Sequence, residues 1–188
     1  MAIKVSQSKF IAAKLLSAAA AKNASITGAF SGWILTGIGA ALGLLVVNYD
    51  KLSDYLSIAS IRSALIAYVF AFFLALVVRY LTTAIIGGNE IREHANEIGY
   101  KYGLETEMSD DEAELFLMEV YAEVRDANWY PARWYIQKIH KGILQGDFAL
   151  GPRILTKMAQ AIGLLVLLQT LLHLYSIVAI VRGLAVAQ

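Results

Sequence analysis

The sequence contains no cysteine and only two prolines among its 188 residues. The lack of cysteine excludes disulfide scaffolds, thiolate metal sites and cysteine nucleophiles. Charged residues make up only 16% of the chain, whereas soluble domains carry about 25%. Hydrophobic residues reach 58%, and the mean hydropathy is +0.57. This composition predicts an integral membrane protein, and the formal net charge of +1 gives no reason to expect nucleic-acid binding.

Three stretches without a charged residue can cross about 30 Å of hydrocarbon as helices. They are Ile26–Val47, Ser63–Val78 and Met158–Val181. The second stretch is short, and it spans if the flanking Arg62 and Arg79 extend their side chains to opposite interfaces. We therefore predict an all-helical integral membrane protein with three transmembrane helices, the second covering about residues 58–80 and extending to 87.

The first 25 residues carry four lysines and no acidic residue, and they lack the compact apolar core of a cleaved signal peptide. They predict a basic amphipathic helix on the membrane surface. The loop 48–57 has only Lys51 beside two aspartates, so the lysine bias places the amino terminus in the cytoplasm. Three crossings then leave the carboxy terminus outside, and the compactness of the chain favours a bacterial inner membrane.

The segment 88–157 is predicted to be cytoplasmic and helical, with an acidic half (88–127) and a basic, aromatic half (128–157). In the acidic half, helical spacing of apolar residues predicts a short amphipathic helix over Asn89–Tyr102 that extends beyond the second span. Ser109 and Glu112 form a capping box that begins a further helix. The apolar stripe of that helix is a predicted partner-binding surface, formed by Phe116, Leu117, Val120, Tyr121 and Val124.

Aromatic and basic side chains alternate in the second half of this segment. Aromatic rings favour the headgroup level, and Lys and Arg attract anionic lipid. We therefore predict a helix on the inner leaflet. The predicted membrane-interface residues are Arg79, Trp129, Tyr130, Arg133, Trp134, Tyr135, Lys138 and Lys141.

Two further patterns lie inside the spans. One face of the first span carries the small residues Gly28, Gly32, Thr36, Gly39 and Gly43. Such a stripe predicts close helix packing, against the second span, another copy or another protein. The third span carries the polar residues Gln169, Thr170, His173 and Ser176, with Gly163 on the same side. Interhelical hydrogen bonding is favoured there over conduction, because no acidic residue lies inside any span.

The sequence offers no motif for catalysis. A glycine-rich phosphate loop, a Gly-x-Ser-x-Gly elbow and a His-Glu-x-x-His zinc helix are all absent. Glu90, Glu93, His94 and Glu97 lack the Glu-to-His spacing of bundle metal sites, and they are interpreted as a solvated helix face. No metal, cofactor or small-molecule substrate is predicted.

Lipid and other membrane proteins, including copies of the chain itself, are the expected partners. The leading hypothesis is a non-enzymatic subunit that anchors or scaffolds a larger membrane complex of the secretion, conjugation or transport type. The first alternative is a homo-oligomeric pore, toxin-like or acting in defence, with the third span lining the conduit. A membrane-embedded enzyme without a recognisable motif is the third hypothesis.

Overall fold

The computed structural model describes residues 7–52, 55–105, 119, 122–123, 126–127, 130, 132–145, 147 and 149–186. Every regular element within these ranges is a helix, which confirms the all-helical prediction. The helices are α1 (Gln7–Val47), α2 (Tyr49–Leu52), α3 (Ile58–Glu105), α4 (Ala132–Leu144) and α5 (Leu150–Val186). Three of them, α1, α3 and α5, are long and apolar enough to cross a membrane, as predicted.

The long helices extend beyond the predicted spans. The basic amino-terminal segment and the first span were predicted as two elements, but the described part of that segment, from Gln7, continues into the first span as the single helix α1. Residues 7–27 contain neither glycine nor proline and are rich in alanine, the strongest helix former, so nothing interrupts the helix near residue 25. Likewise, the predicted Asn89–Tyr102 helix is a continuation of α3.

Side-chain hydrogen bonds mark several helix ends. Asn48 ends α1, where its side-chain amide donates to the Leu44 carbonyl at 2.8 Å. Ser57 caps α3, because its hydroxyl accepts the Ser60 backbone N–H at 3.2 Å. Pro152 lies in the first turn of α5, where a backbone N–H has no intrahelical partner to lose.

The chain divides into two compact units: unit 1 contains Met1–Ala20 and Gly87–Lys157, and unit 2 contains Ala21–Ile86 and Met158–Gln188. The interior of unit 2 is built from small side chains. Along α3, buried alanines recur every three or four residues at positions 64, 67, 71 and 75. Large apolar side chains lie outside, including Trp33, Phe70, Phe73, Leu164 and Leu167. Small residues inside and large apolar residues outside are typical of helices packed in lipid.

Candidate functional site

The polar side chains of α5 are buried in unit 2. Gln169, His173 and Ser176 follow one another at spacings of four and three residues, and each is at most 2% exposed. They belong to a buried stripe that also contains Ile162 and Val166. Three of the four polar residues predicted in the third span, Gln169, His173 and Ser176, are therefore buried against the same unit.

Gln169 contacts Ser31 through two hydrogen bonds. The Ser31 hydroxyl donates to the Gln169 Oε1 atom at 2.6 Å, and the Gln169 Nε2 atom donates to the Ser31 carbonyl at 3.1 Å. Both side chains are almost fully buried. Because the two residues satisfy each other, this pair joins α1 to α5 without leaving a polar atom available for a permeating ion.

A second set of hydrogen bonds joins α5 to α3. The Ser176 hydroxyl is 3.1 Å from the Ala64 carbonyl and 3.0 Å from the Leu172 carbonyl of its own helix. Beside this contact, the hydroxyls of the neighbouring residues Ser63 and Tyr175 are 2.9 Å apart. These contacts join the hydroxyl groups of α5 to α3. Thr170 instead donates to the Val166 carbonyl of its own helix at 2.8 Å.

His173 is the exception in this stripe. Its ring lies 5.8 Å from the Tyr68 ring, centroid to centroid, at an interplanar angle of 37°. Neither ring nitrogen has a hydrogen-bond partner among the residues that the structure describes. Tyr68 itself reaches α1, where its hydroxyl donates to the Leu35 carbonyl at 3.3 Å.

The small-residue stripe of α1 divides into two sets. A Cβ atom added at Gly28 would lie 2.9 Å from the Thr82 hydroxyl, and one added at Gly39 would clash with the Tyr68 hydroxyl. These two glycines therefore permit close contact with α3. At Gly32 and Gly43 an added Cβ would meet nothing within 4 Å. Thr36 lies on the same side as Gly32 and is exposed. Its hydroxyl donates to the Gly32 carbonyl of its own helix at 3.0 Å.

The predicted interface residues of the basic half lie in unit 1, on and beside α4. Arg133, Trp134, Lys138 and Lys141 are exposed, as is Tyr130, whereas Tyr135 is half-buried. Arg133 forms an ion pair with Asp126 at 3.2 Å. The Lys138 ammonium lies 5.2 Å from the centre of the Trp134 ring. Trp129 lies outside the described residues.

The remaining predicted residues form no constellation in the part of the chain that the structure describes. Arg79 is exposed on α3. The predicted partner-binding residues lie outside the described ranges: Phe116, Leu117, Val120, Tyr121 and Val124. Glu90, Glu93, His94 and Glu97 are placed along α3, and no group of acids or histidines within the described ranges is arranged to hold a metal ion.

An open groove of about 620 Å³ lies in unit 2 at the end of α1 and along α2. Leucine and alanine side chains line most of it, with Asn48 and Lys51 as its polar residues. The Asn48 amide nitrogen is already bonded to the Leu44 carbonyl. The groove thus brings no acid, base or nucleophile pair together.

Sequence reasoning missed Ser31 and Tyr68. Ser31 follows the glycine stripe at helical spacing from Gly28, and this spacing was the signal that could have included it. Tyr68 lies in a run of aromatic and aliphatic residues, and such a run is equally consistent with a surface that faces lipid. No protein-family model, curated protein or solved structure matches the chain.

Proposed function

We propose that this chain is a non-enzymatic membrane subunit that anchors or scaffolds a larger membrane complex. The observation that carries the proposal is the burial of the polar side chains of α5. Gln169 is paired with Ser31, and Ser176 is bonded to the Ala64 carbonyl. A helix whose buried glutamine and serine bond to neighbouring helices of the same chain is suited to holding a structure together.

The exposed side of α5 supports the same proposal. Most of the large exposed residues in its uncharged stretch are apolar, among them Leu164, Leu167, Leu171, Leu174 and Val178. In a pore, polar groups or water-accessible surfaces line the conduit. A homo-oligomer that used α5 as its lining would present these apolar residues to the ions, unless the Ser31–Gln169 contact opened.

The exposed part of the small-residue stripe offers a surface for association. A Cβ added at Gly32 or Gly43 would meet nothing within 4 Å, and Thr36 between them is exposed. In lipid, small residues allow helix backbones to approach, and close packing then drives association. A subunit of a larger assembly needs such a surface beyond those that fold its own bundle.

The proposal includes a bacterial inner membrane, a cytoplasmic amino terminus and an assembly of the secretion, conjugation or transport type. The lysine distribution supports the orientation. The acidic helix that begins after Ser109 is proposed to bind a partner through Phe116 and its neighbouring apolar residues.

Two measurements on the full chain test the proposal. Purified protein in liposomes should give no more ion flux than protein-free vesicles. From native membranes the tagged chain should recover defined partners in fixed ratio, and Gly32→Leu with Gly43→Leu should reduce that recovery. Gly163→Leu is the matched control, because Gly163 also has open space around it but lies on α5. A discrete homo-oligomer with ion flux that Gln169→Leu abolishes would overturn the proposal in favour of a pore.

A further inference from the structure

The apolar side of α4 is occupied within unit 1. Ile139 packs on Gly151 of α5, where an added Cβ would lie 3.4 Å from the Ile139 Cδ1 atom. On the same side, a Cβ added at Gly142 would lie 2.5 Å from the Leu150 Cδ2 atom. Glycine at these two positions lets α4 and the first turn of α5 approach closely. Ile136 and Ile139 are partly covered, and insertion of this helix into lipid by its apolar face would compete with that packing.

The opposite side of α4 is basic and aromatic. At about 100° per residue, its exposed side chains fall within an arc of about 140° around the helix axis. They are Arg133, Trp134, Gln137, Lys138 and Lys141. Helix α4 contains no acidic residue. We call this side the cationic face.

Nearby acids neutralise only part of this charge. Asp126 pairs with Arg133 at 3.2 Å, and Asp147 pairs with Arg153 of α5 at 3.1 Å. No acid of the described residues forms an ion pair with Lys138 or Lys141 in the contacts observed. The Lys138 ammonium lies over the exposed Trp134 ring, so a cation and an indole stand together on the surface.

We propose that the cationic face of α4 binds the headgroups of anionic phospholipids. Lysines attract a negatively charged leaflet, and tryptophan settles at the headgroup level. Gly151, which contacts α4, lies seven residues before Met158, where the uncharged part of α5 begins. A lipid surface fits this face better than an acidic protein does, because tryptophan beside lysine suits the headgroup level and the uncharged stretch Met158–Val181 follows this segment in the sequence.

The inference differs from the surface helix that the sequence predicts. A conventional amphipathic helix lies in the interface with its apolar face buried in the acyl region. Here the contact would run through lysine and tryptophan, so it should depend strongly on lipid charge and on salt. It rests on the proposed membrane anchoring but not on any partner protein, and its test measures lipid contact rather than complex recovery.

The experiment places the full chain in nanodiscs and uses Trp134 as the only tryptophan, after Trp33→Phe and Trp129→Phe. Quenching by brominated phosphatidylglycerol is compared with quenching by brominated phosphatidylcholine. We expect phosphatidylglycerol to be preferred, with the preference falling by about fivefold for each of Lys138→Gln and Lys141→Gln. High salt should weaken it, and Lys51→Gln on α2 is the matched control that should leave it unchanged.

Equal quenching by the two lipids would overturn the proposal. So would a preference that survives replacement of both lysines, or quenching of Trp134 by aqueous acrylamide alone, which would assign the face to water or to a protein. A second measurement uses the chain with all three tryptophans. It compares the contact of spin-labelled phosphatidylglycerol with the protein to that of spin-labelled phosphatidylcholine. The same two lysine variants should remove the difference between the two lipids there.

Discussion

Ser31 and Gln169 form the best-defined polar contact in unit 2, with hydrogen bonds running in both directions. In lipid the measured value of such interhelical bonds is modest, because the unfolded helices also find polar partners. The pair nevertheless fixes the rotation of both helices, since a turn of either one would bury two polar groups without partners. Its contribution is therefore to specificity as well as to stability.

A double-mutant cycle measures this contact. Ser31→Ala and Gln169→Leu should each reduce the free energy of unfolding, and their coupling should be about 1 kcal/mol. Steric-trap unfolding in bicelles is a suitable measurement. Ser31→Ala combined with Ser176→Ala is the control, because Ser176 bonds to α3 and the two effects should add. Simple additivity for Ser31 and Gln169 would contradict the contact.

At the scale of the element, the two sets of glycines on α1 separate folding from assembly. Gly39 lies directly against Tyr68 of α3, whereas Gly32 has open space around its Cα. The same substitution therefore tests folding at Gly39 and association at Gly32. A folding defect is expected at Gly39, and any defect in association is expected at Gly32.

Gly39→Ala should destabilise the bundle by about 1 to 3 kcal/mol, because its Cβ requires the Tyr68 ring to move. Gly32→Ala should leave the free energy of unfolding unchanged or slightly raised, since alanine favours helix. Tyr68→Phe removes the hydroxyl and should recover part of the loss in the Gly39→Ala background. The comparison uses the same unfolding measurement. Equal stability of the two alanine variants would mean that α1 and α3 do not approach at Gly39.

At the scale of the whole molecule, three apolar helices predict three crossings. Truncations fused to a dual topology reporter after Tyr49, Gly103 and Gln188 should report outside, inside and outside. The reason is the excess of lysine before the first span compared with the loop that follows it. If the three fusions instead report inside, outside and inside, the four amino-terminal lysines do not set the topology.

The sequence determined the helical class and the number of long apolar helices. Both follow from local properties, namely uncharged runs of sufficient length and the absence of strand-like alternation. It also predicted that Gln169 and Ser176 take part in interhelical hydrogen bonding. The start of the first long helix was less predictable: α1 continues through the expected boundary near residue 25, because no proline stops it.

Only the tertiary structure decided which residues meet. Ser31 and Gln169 are separated by 138 residues, and Ser176 and Ala64 by 112. Periodicity assigns a residue to a face but does not say which neighbour covers that face. For this reason the single predicted glycine stripe of α1 divides into two sets. Gly28 and Gly39 lie against α3, whereas a Cβ added at Gly32 or Gly43 would meet nothing within 4 Å. For the same reason, the sequence could not reveal that α4 packs its apolar side on α5 and leaves its basic side exposed.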